Sequence, residues 1–146
     1  MDDRHGETAR TLVDRLVLAV NNHDLDSLAR CFAEDYVNET PAHPARGFRG
    51  VAQVRRNWTQ IFAEVPDISA TVVRSAVVGD EVWTEWEHAG TRRDGAPHRM
   101  RGVVILGVTE GRFSWARFYL EPVDDRPGDA DAAVASVLRA GTGATS

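Results

Sequence analysis

Apolar residues recur at spacings of three and four near the start of the chain. Ala9, Leu12, Val13, Leu16 and Val20 fall on one stripe, which predicts an amphipathic helix over residues 7–22. Asn21-Asn22-His23-Asp24 breaks the stripe, and either Asp24 or Asp26 is placed to cap a second short helix carrying Leu25, Leu28, Cys31 and Phe32. His23 in this turn reads as a capping or solvent residue. Residues 36–39 form a short extended piece that ends at the loop around Pro41 and Pro44. Gly50 then opens a third helix with Val51, Val54, Trp58, Ile61 and Phe62 on one face, closed by Pro66-Asp67.

From Ile68 the period changes from helical to alternating. Residues 68–78 are rich in β-branched side chains, and Gly79-Asp80 is a tight turn into a second strand over 81–90. A turn through Arg93–Pro97 leads to a strand over 99–109, and Glu110-Gly111 turns into a last strand from Arg112 to about Glu121. Short links predict a mostly antiparallel sheet. Three helices followed by four strands give an α+β domain, with helices covering one face of a curved sheet. Residues 1–123 form this domain. A polar extension, 124–146, follows, with a short helix over 130–140 and a frayed tail of small residues from Gly141.

With 146 residues and a net charge of −5, the chain suits one core, and its acidity disfavours nucleic acid as a partner. The sequence holds no apolar run of the roughly 20 residues that span a bilayer. Its charged start, Met1-Asp-Asp-Arg-His-Gly-Glu, does not read as a secretory signal, so the expected location is cytoplasmic. All 17 basic residues are arginine, which excludes lysine Schiff bases, pyridoxal phosphate anchoring and Walker-type phosphate loops. Cys31 stands alone at a helical position and reads as a small buried hydrophobe. His5, His23, His43, His88 and His98 show no paired metal-ligand spacing, so neither metal nor cofactor is expected.

One titratable group stands out. Alternation along residues 81–90 puts Val82, Thr84, Trp86 and His88 on one face, with Trp83, Glu85 and Glu87 on the other. A histidine ending an apolar stripe fits a cavity with one group able to act as general acid or base. The plainer reading is a core histidine hydrogen-bonded to a neighbour.

The run Asn22-His-Asp-Leu-Asp-Ser-Leu-Ala-Arg-Cys-Phe-Ala-Glu-Asp-Tyr-Val resembles the SnoaL-like branch of the nuclear transport factor 2 superfamily. So do Phe48-Arg-Gly, the helix to Pro66-Asp67 and the closing Glu110-Gly-Arg-Phe-Ser-Trp-Ala-Arg-Phe-Tyr-Leu-Glu-Pro, together spanning roughly residues 10–123. The resemblance implies a cone-shaped α+β barrel open to a mostly apolar pocket, often dimerising through the outer sheet face. The superfamily includes polyketide cyclases, ketosteroid isomerases, limonene-epoxide-type hydrolases, dehydratases and proteins without catalysis, so the pocket residues must decide.

Compared with the epoxide hydrolases, Tyr36-Val37-Asn38 matches their Tyr-x-Asn, but their Arg-x-Asp falls on Trp86-Glu87-His88 and their last-strand aspartate on Phe118. Their water-activating set is therefore missing, and the ketosteroid isomerase pattern lacks a matching buried acid. SnoaL-like cyclases pair a barrel histidine with a last-strand carboxylate, and His88 with Glu121 could supply such a pair. Alternation groups Trp115, Arg117, Tyr119 and Glu121 on one face and Ala116, Phe118 and Leu120 on the other. With Phe118 inward, Glu121 reaches the pocket only if the strand ends or bulges near Leu120, as Pro122 would allow.

On this resemblance Tyr36 and Asn38 bind the reacting oxygen, and Trp58, Trp86 and Phe118 wall the pocket. Arg101 is either an inward anion partner or an exposed, dimer-face residue. Glu39 and His43 lie on a mouth loop. Two functions stay open. One is a cofactor-free acid–base enzyme (cyclase, isomerase or hydrolase) of secondary metabolism, acting on a small apolar or polyketide-like molecule, and dimeric. The other is a non-catalytic binding or dimerisation module of the same fold.

Overall fold

The computed structural model describes residues 4–143, and side chains for residues 6–140. Helix α1 (Arg4–Asn21) buries Ala9, Leu12, Val13, Leu16 and Val20, the stripe read from the sequence. Asp24 caps α2 (Leu25–Arg30): its carboxylate accepts from the Ser27 backbone N–H at 3.1 Å, while Asp26 sits in the first turn. This helix is shorter than expected. Cys31 is its C-cap, and Phe32 opens strand β1 (Phe32–Glu39) because its backbone pairs with Phe113. His23, expected as a cap or solvent residue, stacks on Phe62 at 5.0 Å, and its ring nitrogen donates to the Ile68 carbonyl at 3.0 Å.

A 3-10 turn (Pro44–Arg46) precedes a two-residue strand β2 (Phe48–Arg49) that the sequence did not announce. Gly50, at φ +93°, turns the chain into α3 (Val51–Glu64); that left-handed backbone favours glycine. Four longer strands follow: β3 (Ser69–Val78), β4 (Glu81–Thr91), β5 (Pro97–Thr109) and β6 (Arg112–Pro122). Strand β5 starts two residues earlier than expected, since Thr91 and Gly90 still find partners in Pro97 and His98.

The six strands form one curled, unclosed sheet in the order β2-β1-β6-β5-β4-β3. All pairings are antiparallel except β1 with β6. Curling lets α1 lie on β3 and β4 while α3 lies on β1, so the three N-terminal helices cover the inner face. Gly102, at the middle of β5, belongs to this curvature. A Cβ there would come within 2.1 Å of the Tyr119 carbonyl oxygen on β6. The last helix, α4 (Ala130–Gly143), runs three residues past the expected end, so Gly141 to Gly143 are helical; residues 144–146 of the expected tail lie outside the described residues. Among the described residues no helix is long and apolar enough to cross a membrane.

Candidate functional site

The inner face of the sheet and helices α1 and α3 enclose two adjoining spaces. A deep chamber of about 40 Å³ is lined by Leu16, Val20, Trp86, Val104 and Leu106, among others. A wider chamber of about 360 Å³ opens outward past Tyr36, Asn38, Thr40, Arg46, Asn57, His98 and Met100. Phe32, Trp58, His88, Phe118 and Leu120 line both. The wider chamber is in the size range of small-molecule sites, and its wall is mostly apolar.

His88 stands at the junction. Alternation along β4 buries Val82, Thr84, Trp86 and His88 together, as the sequence predicts. Trp86 meets the imidazole edge-on at 5.7 Å, and Trp58 lies 6.0 Å away. Trp86 is itself fixed: its indole N–H donates to Thr84 Oγ1 at 2.7 Å, and that hydroxyl donates to the Val104 carbonyl at 2.7 Å. Among the described residues no hydrogen bond reaches the His88 ring, yet no sealed side-chain N or O atom lacks a partner. Its ring nitrogens therefore face the chamber rather than the protein. Burial, and secondarily the nearby His98, push the imidazole down to about 4, so it is neutral at pH 7.

Elsewhere in the lining of the wider chamber, the Tyr36 hydroxyl donates to Asn38 Oδ1 at 2.7 Å. Both are buried, and burial raises the phenol well above its ordinary value. With Oδ1 occupied, Asn38 turns its Nδ2 donors to the wider chamber. On the aromatic walls the polar groups include the neutral His88 imidazole and the Asn38 amide, with Thr40, Arg46, Asn57 and His98 also in the lining of the wider chamber.

The expected residues divide into two groups. His88, Tyr36, Asn38, Trp58, Trp86 and Phe118 all line the chambers. Glu121 and Arg101 do not. They are cross-strand neighbours on the outer face, with Glu121 3.0 Å from His43 and Arg101 3.5 Å from Glu87. The cause is register: pairing of β5 with β6 runs unbroken from Gly102–Leu120 to Met100–Pro122, and the irregularity falls at Gly107/Val108 instead. Without a bulge near Leu120, alternation keeps Glu121 outside. The mouth-loop pair also turns away, since Glu39 lies 3.4 Å from Arg117. Among the described residues no aspartate or glutamate lines either chamber.

Among the polar lining residues that the sequence did not assign to the site are His98, Arg46 and Asn57. His98 had a signal, because it is in phase with Met100, Val104 and Leu106 once β5 starts at Pro97. Asn57 lies one turn from Ile61 on the inward face of α3. Arg46, in a 3-10 turn, had none. Cys31 is buried outside the chambers with its thiol pushed up to about 11, as suits an inert hydrophobe. Among the described residues no three His, Cys, Asp or Glu cluster to hold a metal.

Solved structures share this architecture at low identity. An LEH-like epoxide hydrolase from Mycobacterium tuberculosis is 20% identical, with 79% of this chain and 84% of that one covered and a TM-score of 0.68. RV0760c from the same organism, in complex with estradiol-17β-hemisuccinate, is 20% identical over 77% and 92% with a TM-score of 0.66. A protein of ketosteroid isomerase-like fold from Catenulispora acidiphila, in complex with trimethylamine, is 17% identical over 74% and 84% with a TM-score of 0.65. No curated protein matches the chain. The model of the SnoaL-like domain matches residues 13–116, from the first helix to the inward-facing Ala116 of β6, and the chain belongs to that family.

Proposed function

We propose that the protein is a cofactor-free proton-transfer enzyme acting on a small, largely apolar molecule, of the cyclase, isomerase or hydrolase type found around its fold. One observation carries this reading: His88 is buried among aromatic rings, makes no hydrogen bond among the described residues and opens onto a chamber of about 360 Å³. A merely structural histidine in such a place would be satisfied by the protein. Asn38 Nδ2 holds an oxygen of the bound molecule, Tyr36 fixes Asn38, and the neutral His88 accepts or relays the proton. Trp58, Trp86 and Phe118 exclude water, which strengthens each polar contact. Glu121 has no part in this scheme.

The test is turnover on a panel of apolar ketones and epoxides, read as solvent deuterium wash-in next to the carbonyl for the ketones and as diol formation for the epoxides. His88→Ala is expected to lose about 10²–10⁴-fold in rate while keeping its thermal transition. Full turnover in that variant overturns the role.

The lack of any carboxylate in the lining favours a second reading, a small-molecule binding module. The two ligand-bearing neighbours fit either reading. In a binder, His88→Ala changes only affinity, and wild-type protein exchanges no deuterium. In both readings the outer face, where Trp83 and Tyr119 remain 46% and 40% exposed, pairs two copies. A monomeric mass by light scattering at micromolar concentration would exclude that assembly.

A further inference from the structure

Among the described residues Arg46, an exposed residue at the end of the 3-10 turn Pro44–Arg46, is the one permanently charged side chain lining the wider chamber, whose lining also includes Thr40, Asn57 and His98. Among the described residues it has no acidic partner. Glu39 lies against Arg117, Glu121 against His43 and Asp125 against Arg99. A second guanidinium, Arg92, lies close enough to His98 to depress its imidazole, after burial. Among the described residues the lining of the two chambers thus holds a guanidinium and no carboxylate.

Resting on the reading of this cavity as the substrate site, we infer that its ligand is an amphipathic carboxylic acid, with the carboxylate on Arg46 at the mouth and the apolar body against Trp58, Phe118 and His88. A guanidinium fork matches a planar carboxylate, and Asn57 is a further polar group of the same lining. An ammonium head would meet a guanidinium and no acid. A neutral head would make no charge-assisted pair with the guanidinium. The arrangement also fixes direction: Arg46 borders only the wider chamber whereas His88 borders both, so a molecule held by its head at Arg46 extends its body toward the imidazole.

The experiment is calorimetric titration of the full chain with three probes sharing one apolar body: 4-phenylbutanoate, 4-phenylbutanamide and 4-phenylbutan-1-amine. The acid is expected to bind about threefold to tenfold more tightly than the amide, with the amine weakest. In Arg46→Gln the acid-to-amide ratio falls to about one, and Arg46→Lys keeps part of it. Equal affinities in the wild type, or a preference that survives Arg46→Gln, overturn the inference. Leu120→Trp, or Phe118→Trp should the first not fold, fills the cavity and abolishes binding of every probe. Probes that bind without head-group preference, and are displaced by cavity filling, sink the carboxylate assignment alone. Binding indifferent to cavity filling, or no binding of any probe, counts against the site itself.

Discussion

On the outer face of β4, β5 and β6, Glu87, Arg101 and Glu121 stand in one cross-strand row, whereas one position along the same strands the inner face carries Trp86, Gly102 and Leu120. The outer row is half-solvated, with Glu87 paired to Arg101, Glu121 against the His43 ring and, further along, Glu85 paired to Arg74. The inner row is apolar and ends in an imidazole held neutral by burial. On these three strands alternation has put the carboxylates outside. On the proposed reading the proton is therefore handled by His88, with Asn38 and Tyr36, and without a carboxylate beside it.

The comparison breaks most severely at Gly102, where the inner row bends closest to its neighbour. Gly102→Ala places a methyl group 2.1 Å from the Tyr119 carbonyl oxygen, on a backbone at φ +154° that side chains rarely adopt. Denaturant unfolding is expected to show a loss of about 3 kcal/mol or more, with the cavity distorted.

A smaller effect separates the faces by pH. The unfolded chain protonates His88 near its ordinary 6.5, and the folded chain only near 4. Between those values the unfolded state binds more protons, so stability falls as pH falls through this window. The contribution is fully present above 6.5 and gone below 4. It amounts to about 3 kcal/mol, with His98, also depressed, adding in the same direction. His88→Asn should flatten the wild-type slope between pH 6.5 and 4, and an unchanged slope would show that other groups carry it.

The smallest effects belong to the outer row. Arg101→Gln and Glu121→Gln remove exposed ion pairs, and each should change stability by about 0.5 kcal/mol or less and leave turnover unaltered. A hundredfold loss in Glu121→Gln would restore the histidine–carboxylate pair that the register of β6 argues against.

Most of the inner face was legible because it obeys one period. Val82, Thr84, Trp86 and His88 alternate without interruption, and the three helical stripes carry their own spacing. What failed to read out depended on long-range contact. The end of α2 was decided by Phe32 pairing with Phe113, far along the chain. Glu121 was drawn into the site by resemblance although its own alternation put it outside. The bulge that would have turned it inward sits near Ser114, at the far end of the strand. Arg46 reaches the mouth through the return of a loop, which no local pattern encodes.

The most direct test of a neutral, unpartnered His88 is a titration of its ring nitrogens by NMR in the full chain. The account predicts a midpoint near 4, with the neutral form at pH 7 and a ring shift when a ligand enters the chamber. A midpoint at or above 6.5 would contradict it, since that value requires a carboxylate partner or open solvent beside the imidazole.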